Sequence, residues 1–284
     1  MSASKNIRRV EEMLVATPTS DGDGVRLMRV FGGGDLSRFD PFLMLDEFGS
    51  EEANDYIGGF PSHPHRGFET VTYMLDGHMQ HKDHMGNVGE LKNGDVQWMT
   101  AGSGVIHSEM PQQKHGRMRG FQLWLNLAAK DKMQPASYSD VPASAIPVYP
   151  REGGSIKAIA GSLTGLQGHI SKPVTEPIYL DIVVENGEYS ESFAVPDGHT
   201  ALVYVYEGRA EVGGTVVGKS RLVRLSKQGA VEITATGPAR LLLIAGKPIG
   251  EPIVQYGPFV MNTRAQIDQA LQDYRNGTLT RQRG

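Results

Sequence analysis

The residues best suited to chemistry are two pairs of polar side chains, each separated by one residue. His63 and His65 flank a proline in FPSHPHRGF, and His107 and Glu109 stand in GVIHSEMP. A strand places residues i and i+2 on one face, and Pro64 favours an extended backbone in the residue before it. If the two segments form neighbouring strands, three imidazoles and one carboxylate converge. Such a set leaves coordination positions open and suits a divalent first-row metal, iron above all.

Glu69 is a second carboxylate that the spacing brings into consideration. It follows His65 by four residues, so regular strand parity also directs its side chain toward the metal. A bulge at Gly67 would instead rotate the strand and leave Glu69 as an outer partner of the ligands. The spacing alone leaves both arrangements open.

Three further histidines recur at every third position in GHMQHKDH. They are His78, His81 and His84. Both strand parities occur among them, so one strand face cannot hold all three. The pattern predicts an exposed hairpin, with His81 at the rim of a cavity as the alternative.

The composition excludes several classes of protein. A net charge of −4, without a cluster of Lys and Arg, argues against direct nucleic-acid binding. The absence of cysteine excludes disulfides, thiolate zinc sites and cysteine nucleophiles. No apolar run approaches the ~18 residues of a membrane span, and the N-terminal stretch lacks the apolar core of a signal peptide. We therefore expect a cytoplasmic protein without a membrane partner.

Most of the chain is predicted to form short strands separated by tight turns, which the 35 glycines favour. Strand-like runs fill residues 1–135, and a stretch rich in Pro, Ser and Gly at 136–160 is typical of a linker. Strand-like runs then resume over 161–284, which end in one helix with Thr263 as its cap. The expected fold is all-β, with two small barrels or jelly rolls and a short C-terminal helix.

The two halves resemble each other around a turn of an acidic residue and glycine. When Gly77 is aligned with Gly208, His63 falls on Ala194 and His65 falls on Pro196. Neither of these second-half residues binds metals. We therefore expect one metal ion per chain, held by the first domain.

Four longer stretches resemble the pirin family of bicupins: FDPFLMLDEFG, GFPSHPHRGFETVTYMLDG, NGDVQWMTAGSGVIHSEMP and GPFVMNT. The resemblance is detailed in the first half and looser in the second. It implies two tandem cupin (jelly-roll) β-barrels, with one divalent metal, usually Fe(II), in the N-terminal barrel. By position, the family's ligands fall on His63, His65, His107 and Glu109. The resemblance thus decides against Glu69 as a regular ligand.

The resemblance implies two classes of function. Several pirins are similar to quercetin 2,3-dioxygenases, which open the central ring of a flavonol with O₂ and release carbon monoxide. In that reaction Glu109 would take the proton of the flavonol 3-hydroxyl. The residues expected to line the mouth of the site are Phe60, Arg66, Asp46, Glu47 and Phe48.

Other pirins resemble metal-dependent regulators that bind a transcription factor or a metabolic enzyme. No helix or basic patch in this sequence indicates such a protein partner. The sequence therefore favours the enzyme, with a small flavonol-like aromatic molecule and O₂ as substrates.

Overall fold

The computed structural model describes residues 6–185 and 187–281, which form mainly β-strands. In chain order the strands are β1 (Val10–Val15), β2 (Thr17–Asp21), β3 (Val25–Gly32), β4 (Phe42–Ser50), β5 (Phe60–His65), β6 (Phe68–Asp76), β7 (Met79–Asp83), β8 (Val88–Leu91), β9 (Val96–Thr100), β10 (Val105–Pro111), β11 (Met118–Asn126), β12 (Ser137–Val141), β13 (Val148–Arg151), β14 (Gly154–Ala160), β15 (Ser162–Leu163), β16 (Leu166–Gln167), β17 (Ile178–Val184), β18 (Tyr189–Phe193), β19 (Thr200–Val212), β20 (Thr215–Gly218), β21 (Arg221–Leu225), β22 (Val231–Ala235), β23 (Ala239–Gly246), β24 (Val254–Tyr256) and β25 (Phe259–Met261).

The helical content is small. Within residues 6–185 and 187–281, one α-helix, α1 (Arg264–Arg275), accompanies three short 3-10 helices at Ala53–Asp55, Ala129–Asp131 and Ala143–Ala145. Across the described residues, every helix is too short or too polar to span a lipid bilayer. The prediction of an all-β fold that ends in a helix is confirmed.

These elements divide between two compact units. The first unit comprises Thr17–Ala143 with Ile249–Gly284, and the second comprises Met1–Ala16 with Ser144–Pro248. Strand β1 pairs with β21 in the second unit, whereas α1 belongs to the first. The units therefore exchange the two ends of the chain, where contiguous domains at 1–135 and 161–284 were expected. Of those expected domains, residues 1–5, 186 and 282–284 lie outside the described part of the chain.

The stretch 136–160, expected as a linker, is largely structured. It contains strands β12, β13 and β14, and β12 pairs with β9 of the first unit while β14 pairs with β17 of the second. Pro142, Ser144 and Pro147 fall between these strands, where turns favour them, whereas the other proline and the other three serines lie within the strands. Proline and serine content therefore did not distinguish a linker from short strands.

Two antiparallel sheets form most of the first unit. One has seven strands in the order β12-β9-β6-β11-β4-β3-β2, and the other has four in the order β5-β10-β7-β8. Along β10 every second residue is buried, namely Val105, His107 and Glu109. Because side chains alternate between the two faces of a strand, this period places both polar residues inside the unit.

Apolar side chains fill the second unit. Its largest sheet contains β1-β21-β19-β23-β17-β14-β13, and Val203, Val205, Leu241 and Leu243 are completely buried in one continuous apolar cluster. The residues aligned with the first histidine pair, Ala194 and Pro196, follow the end of β18. This interior is held together by hydrophobic burial, which contributes roughly 25 cal/mol per Å² of apolar surface removed from water.

Helix α1 begins with the side-chain cap that the sequence predicts. The Thr263 hydroxyl accepts a hydrogen bond from the Gln266 backbone N–H, and the Gln266 side chain accepts one from the Thr263 backbone N–H. This reciprocal capping box satisfies two donors that the first turn leaves free, and such a cap is worth about 1 kcal/mol. Ile267 and Ala270 then bury one face of the helix.

Arg66 connects the histidine segment to α1. Its guanidinium donates to Asp273 Oδ2 at 2.8 Å, to the Leu279 carbonyl at 3.1 Å and to the Ser103 carbonyl. The expectation that Arg66 lines the mouth of the site is therefore wrong. Adjacent residues of a strand point to opposite faces, so Arg66 is directed away from the face that His65 occupies.

The turn after Arg66 requires glycine. Gly67 has a φ of +88°, and a Cβ at this position would collide with the carbonyl oxygen of Val260. The Gly67 and Val260 carbonyls both accept hydrogen bonds from the buried Lys132 ammonium, at 2.7 and 3.0 Å. Backbone and lysine thus fix the chain immediately after the histidine pair.

We expect Gly67→Ala to lower the free energy of unfolding by at least about 2 kcal/mol, because it combines an unfavourable φ with a backbone collision. Gly86→Ala is the matched control, since Gly86 has a φ of +87° but open space where its Cβ would lie. Urea unfolding monitored by circular dichroism measures both variants. Equal losses in the two would show that the collision with Val260 is relieved without penalty.

Candidate metal centre

Three histidines meet between two neighbouring strands of the first unit. His63 and His65 lie at the end of β5, which pairs antiparallel with β10, and His63 stands directly opposite His107. One ligand atom from each histidine lies within 4.8 Å of the others, and the ring centroids are 4.4 to 4.9 Å apart. The prediction that these residues occupy neighbouring strands is confirmed.

The imidazole nitrogens suit a metal ion. His63 Nε2 and His107 Nε2 are 2.9 Å apart, and two nitrogens that bind one ion at right angles with bonds of 2.0–2.1 Å are separated by about 3 Å. His63 Nδ1 lies 2.8 Å from the Pro61 carbonyl, which assigns its proton to Nδ1 and leaves Nε2 bare for a metal. The described residues contain no other cluster of this kind, and this one can hold a metal ion.

Glu109 lies beside the three histidines on the same face of β10. Its side chain is only 3% exposed, although its carboxylate is not part of the 4.8 Å histidine cluster. Oε1 lies 3.0 Å from the Thr72 hydroxyl, and Oε2 accepts a hydrogen bond of 3.2 Å from Gln122 Nε2. The Thr72 hydroxyl is also 2.7 Å from Gln122 Oε1. Neutral donors therefore orient both carboxylate oxygens.

Burial favours the neutral form of two imidazoles of the cluster, those of His65 and His107. Desolvation first, and then the neighbouring imidazoles, hold the pKa values of His65 and His107 well below the ordinary value. Burial likewise lowers the pKa of His81. The neutral form is the one that binds metals, so protons compete weakly for these ligands.

These shifts predict that the metal-free protein loses stability in mild acid. His65 and His107 have lowered folded-state pKa values, so below about pH 6.5 their unfolded forms bind protons that the folded forms do not. The free energy of unfolding should fall as pH falls, by about 1 kcal/mol per histidine between pH 7 and 5.5. Urea titrations at the two pH values measure the loss. In the His107→Gln variant the loss of stability between pH 7 and 5.5 should be smaller by the contribution of one histidine. An unchanged loss would contradict the lowered pKa of His107 as its cause.

The cluster opens on a cavity of about 810 Å³ within the first unit, a volume that fits a small-molecule site. Its apolar wall includes Leu27, Leu43, Phe48, Phe60, Trp124 and Tyr256, and its polar wall includes His63, His65, Glu109, Arg29 and Asp46. Phe60, Asp46 and Phe48 thus lie at the cavity as expected. Glu47 does not, because the alternation along β4 places it on the opposite face of the strand, where it accepts hydrogen bonds from the buried Arg119 at 2.7 and 2.9 Å.

Ion pairs of Arg29 with Asp46 and Asp21 form part of the cavity wall. Arg29 donates to both oxygens of Asp46, at 2.9 and 2.7 Å. Burial raises the pKa of Asp46, and the hydrogen bonds from Arg29 oppose this shift. The bidentate geometry holds both groups in a fixed orientation, so they present a rigid polar surface in an otherwise largely apolar wall.

Glu69 is buried but faces other partners. Its carboxylate accepts a hydrogen bond of 2.6 Å from Thr100, its cross-strand neighbour on β9, and it belongs neither to the histidine cluster nor to the cavity wall. Gly67, with its positive φ, separates the strand of the histidine pair from that of Glu69. Gly67 thus lies in a turn between strands of two different sheets, so the expected rotation of Glu69 away from the histidines is present, although a turn and not a bulge produces it.

The histidines of the second hairpin differ among themselves. His84 is exposed and His78 is half-buried beside Glu90, whereas His81 is 1% exposed and contacts His107. The expectation of an exposed hairpin is wrong for His81, because it stands opposite Glu109 on β10 and shares its inward face. Sequence reasoning also missed Thr72 and Gln122, which carry no motif of their own.

Comparisons with known proteins agree with this architecture. The Pirin family model matches residues 24–125, and that of the Pirin C-terminal cupin domain matches residues 179–280. A Pseudomonas aeruginosa protein named "Putative quercetin 2,3-dioxygenase" is 53% identical over 280 residues, which cover 96% of this chain and 98% of that protein. Pirin of Rattus norvegicus is 38% identical over 283 residues, with coverages of 97% and 94%.

A solved structure is also similar. The crystal structure of quercetin 2,3-dioxygenase from Acinetobacter baumannii matches with a TM-score of 0.89 at 33% identity, covering 96% of this chain and 99% of that chain. The fold and the histidine cluster define a protein of two cupin domains with a candidate metal centre in one of them. The chain belongs to the pirin family.

Proposed function

We propose that this protein is an Fe(II)-dependent dioxygenase of the quercetin 2,3-dioxygenase type. The observation that carries the proposal is the position of His63, His65 and Glu109 in the wall of a cavity of about 810 Å³. Together with His107, these residues form the proposed ligand set. The names of the relative from Pseudomonas aeruginosa and of the structure from Acinetobacter baumannii support this activity.

The cavity wall suits a planar, polyhydroxylated aromatic substrate. Phe48, Phe60 and Trp124 offer ring faces and edges, while the Arg29–Asp46 pair offers a fixed donor and acceptor for phenolic hydroxyls. Apolar walls also exclude water from the reacting centre, which strengthens every electrostatic interaction there. A flavonol is the substrate class that combines these features.

Glu109 is the proposed general base. It accepts the proton of the flavonol 3-hydroxyl, and Thr72 and Gln122 orient its carboxylate for this transfer. A bound Fe(II) would supply Lewis-acid activation of the substrate oxygen and redox activation of O₂. In the overall reaction one O₂ is consumed, the central ring is opened and one carbon monoxide is released, so that all atoms balance.

Metal analysis followed by oxygen uptake tests the proposal. Protein stripped with a chelator and reloaded with Fe(II) under anaerobic conditions should bind one iron per chain, and should then consume quercetin and O₂ and release CO in equal amounts. The stripped protein and free Fe(II) at the same concentration are the controls. Iron-loaded protein without turnover would overturn the enzyme and leave a metal-binding regulator that acts through a transcription factor or metabolic enzyme.

A further inference from the structure

His81 is a buried histidine that contacts the histidine cluster but lies outside the proposed ligand set. It lies on β7, opposite Glu109 of β10, and its Nδ1 is 3.2 Å from Nδ1 of His107. The two rings are 4.8 Å apart between centroids, and the His81 ring also contacts Tyr138 at 4.9 Å. At 1% exposure, His81 is almost completely buried.

When His107 binds a metal, only one assignment of protons to the ring nitrogens of His107 and His81 is possible. A neutral imidazole carries one N–H, and His107 Nε2, the nitrogen facing His63, has to be bare to coordinate. The His107 proton is therefore on Nδ1, where it faces His81 Nδ1. Two N–H groups cannot face each other at this distance, so His81 Nδ1 is bare and accepts the hydrogen bond.

The consequence for His81 is that its own proton is on Nε2. That nitrogen is buried and has no hydrogen-bond partner among the described residues. The His81 ring also lines a second cavity, of about 370 Å³, together with Gln97, Tyr138 and Asp140. His81 thus contacts His107 through Nδ1 and also forms part of the wall of this second cavity.

We propose that His81 is a positioning residue that accepts the Nδ1–H of His107 and thereby fixes the tautomer and orientation in which His107 binds the metal. The inference rests on the ligand set of the proposed function. A histidine ligand whose outer nitrogen is held in this way is pre-organised and more basic, and loss of such a partner typically lowers metal affinity 10- to 100-fold.

Two substitutions at one position test the role of the acceptor. His81→Asn keeps an acceptor oxygen about where Nδ1 lies, whereas His81→Leu removes it at similar volume. With Zn(II) alone as the probe, competition with a chromophoric chelator should show His81→Asn within about threefold of wild type and His81→Leu weakened about 10- to 100-fold. His78→Leu, a half-buried histidine of the same hairpin, is the control and should retain wild-type affinity.

Wild-type affinity in His81→Leu, or equal weakening in both variants, would overturn the proposal. Thermal unfolding of the metal-free variants shows whether each is folded. If His81→Leu does not fold, nitrogen NMR of histidine-labelled, Zn(II)-loaded wild-type protein decides alone. It should show His107 protonated at Nδ1 and His81 protonated at Nε2, and a proton on His81 Nδ1 would refute the proposal.

Neither measurement uses flavonol turnover. An inactive wild-type enzyme would therefore end the proposed function and leave the role of His81 standing. Wild-type protein that fails to bind Zn(II) would overturn the positioning role together with the ligand set.

Discussion

Glu109→Gln is expected to lower flavonol oxygenation per bound iron by about 10²-fold or more, because the amide cannot accept the proton of the substrate hydroxyl. The same substitution removes the anionic member of the proposed ligand set, so iron affinity should fall as well. Quercetin loss, O₂ uptake and CO release, each divided by bound iron, separate the two effects. A decrease that disappears on normalisation to bound iron would contradict the role of Glu109 as base.

The hydrogen bonds around Glu109 make this variant interpretable. In the Glu109→Gln variant the new amide nitrogen would face the Thr72 hydroxyl oxygen, which can accept its hydrogen bond. The Thr72 hydroxyl can then donate its own proton to Gln122 Oε1, 2.7 Å away. The new amide oxygen would then accept from Gln122 Nε2, as Glu109 Oε2 does now. Each buried polar group keeps a partner, so the variant should fold with little loss of stability.

Glu69→Gln is the matched control. Glu69 is as buried as Glu109 but accepts a hydrogen bond from Thr100 and lies outside the cavity wall. Its substitution should leave normalised turnover near the wild-type value. A fully active Glu109→Gln enzyme combined with an inactive Glu69→Gln enzyme would reassign the base to Glu69.

The histidine site could be predicted because it depends on a local rule. Residues two positions apart in a strand share a face, and the pairs His63/His65 and His107/Glu109 both have this spacing. The pairing of β5 with β10 followed from the need to bring the two pairs together. Glycine and proline marked the ends of these strands, so the two-residue spacing was enough to predict where the candidate ligands lie.

His81 could not be placed by the same rule. The three-residue spacing of the hairpin histidines contains both parities, and only the register of β7 against β10 decides which one points inward. That register is set by the whole four-stranded sheet. Thr72 and Gln122 are likewise cross-strand partners 50 residues apart, brought together by the pairing of β6 with β11. Nothing in the sequence near either residue indicates a role beside Glu109.

The exchange of chain ends between the units was also beyond local patterns. The last helix is correctly predicted from its cap, but that pattern does not state which core the helix joins. Arg66 connects the C-terminal segment to the first unit, because its hydrogen-bond partners Asp273 and Leu279 follow it by more than 200 residues in the chain. A buried cation paired with a carboxylate far away in the chain fixes the tertiary structure. No local sequence motif indicates such a pair.

His63→Ala is expected to remove most of the bound iron while leaving the fold intact. His63 is the most exposed of the three histidines, so its truncation opens little buried volume, yet it removes the nitrogen that faces His107 Nε2 at 2.9 Å. Loss of a residue that hydrogen-bonds to a metal ligand typically lowers metal affinity 10- to 100-fold. Loss of the ligand itself should lower the affinity by roughly 10²-fold or more. Elemental analysis after chelator competition measures this change, with exposed His115→Ala as the control.

Because the apolar interior of the second unit does not depend on His63, circular dichroism should retain the native β signal. Full iron occupancy in His63→Ala would show that the ligand set is wrong, and two firmly bound irons per wild-type chain would show that the second unit also holds a metal.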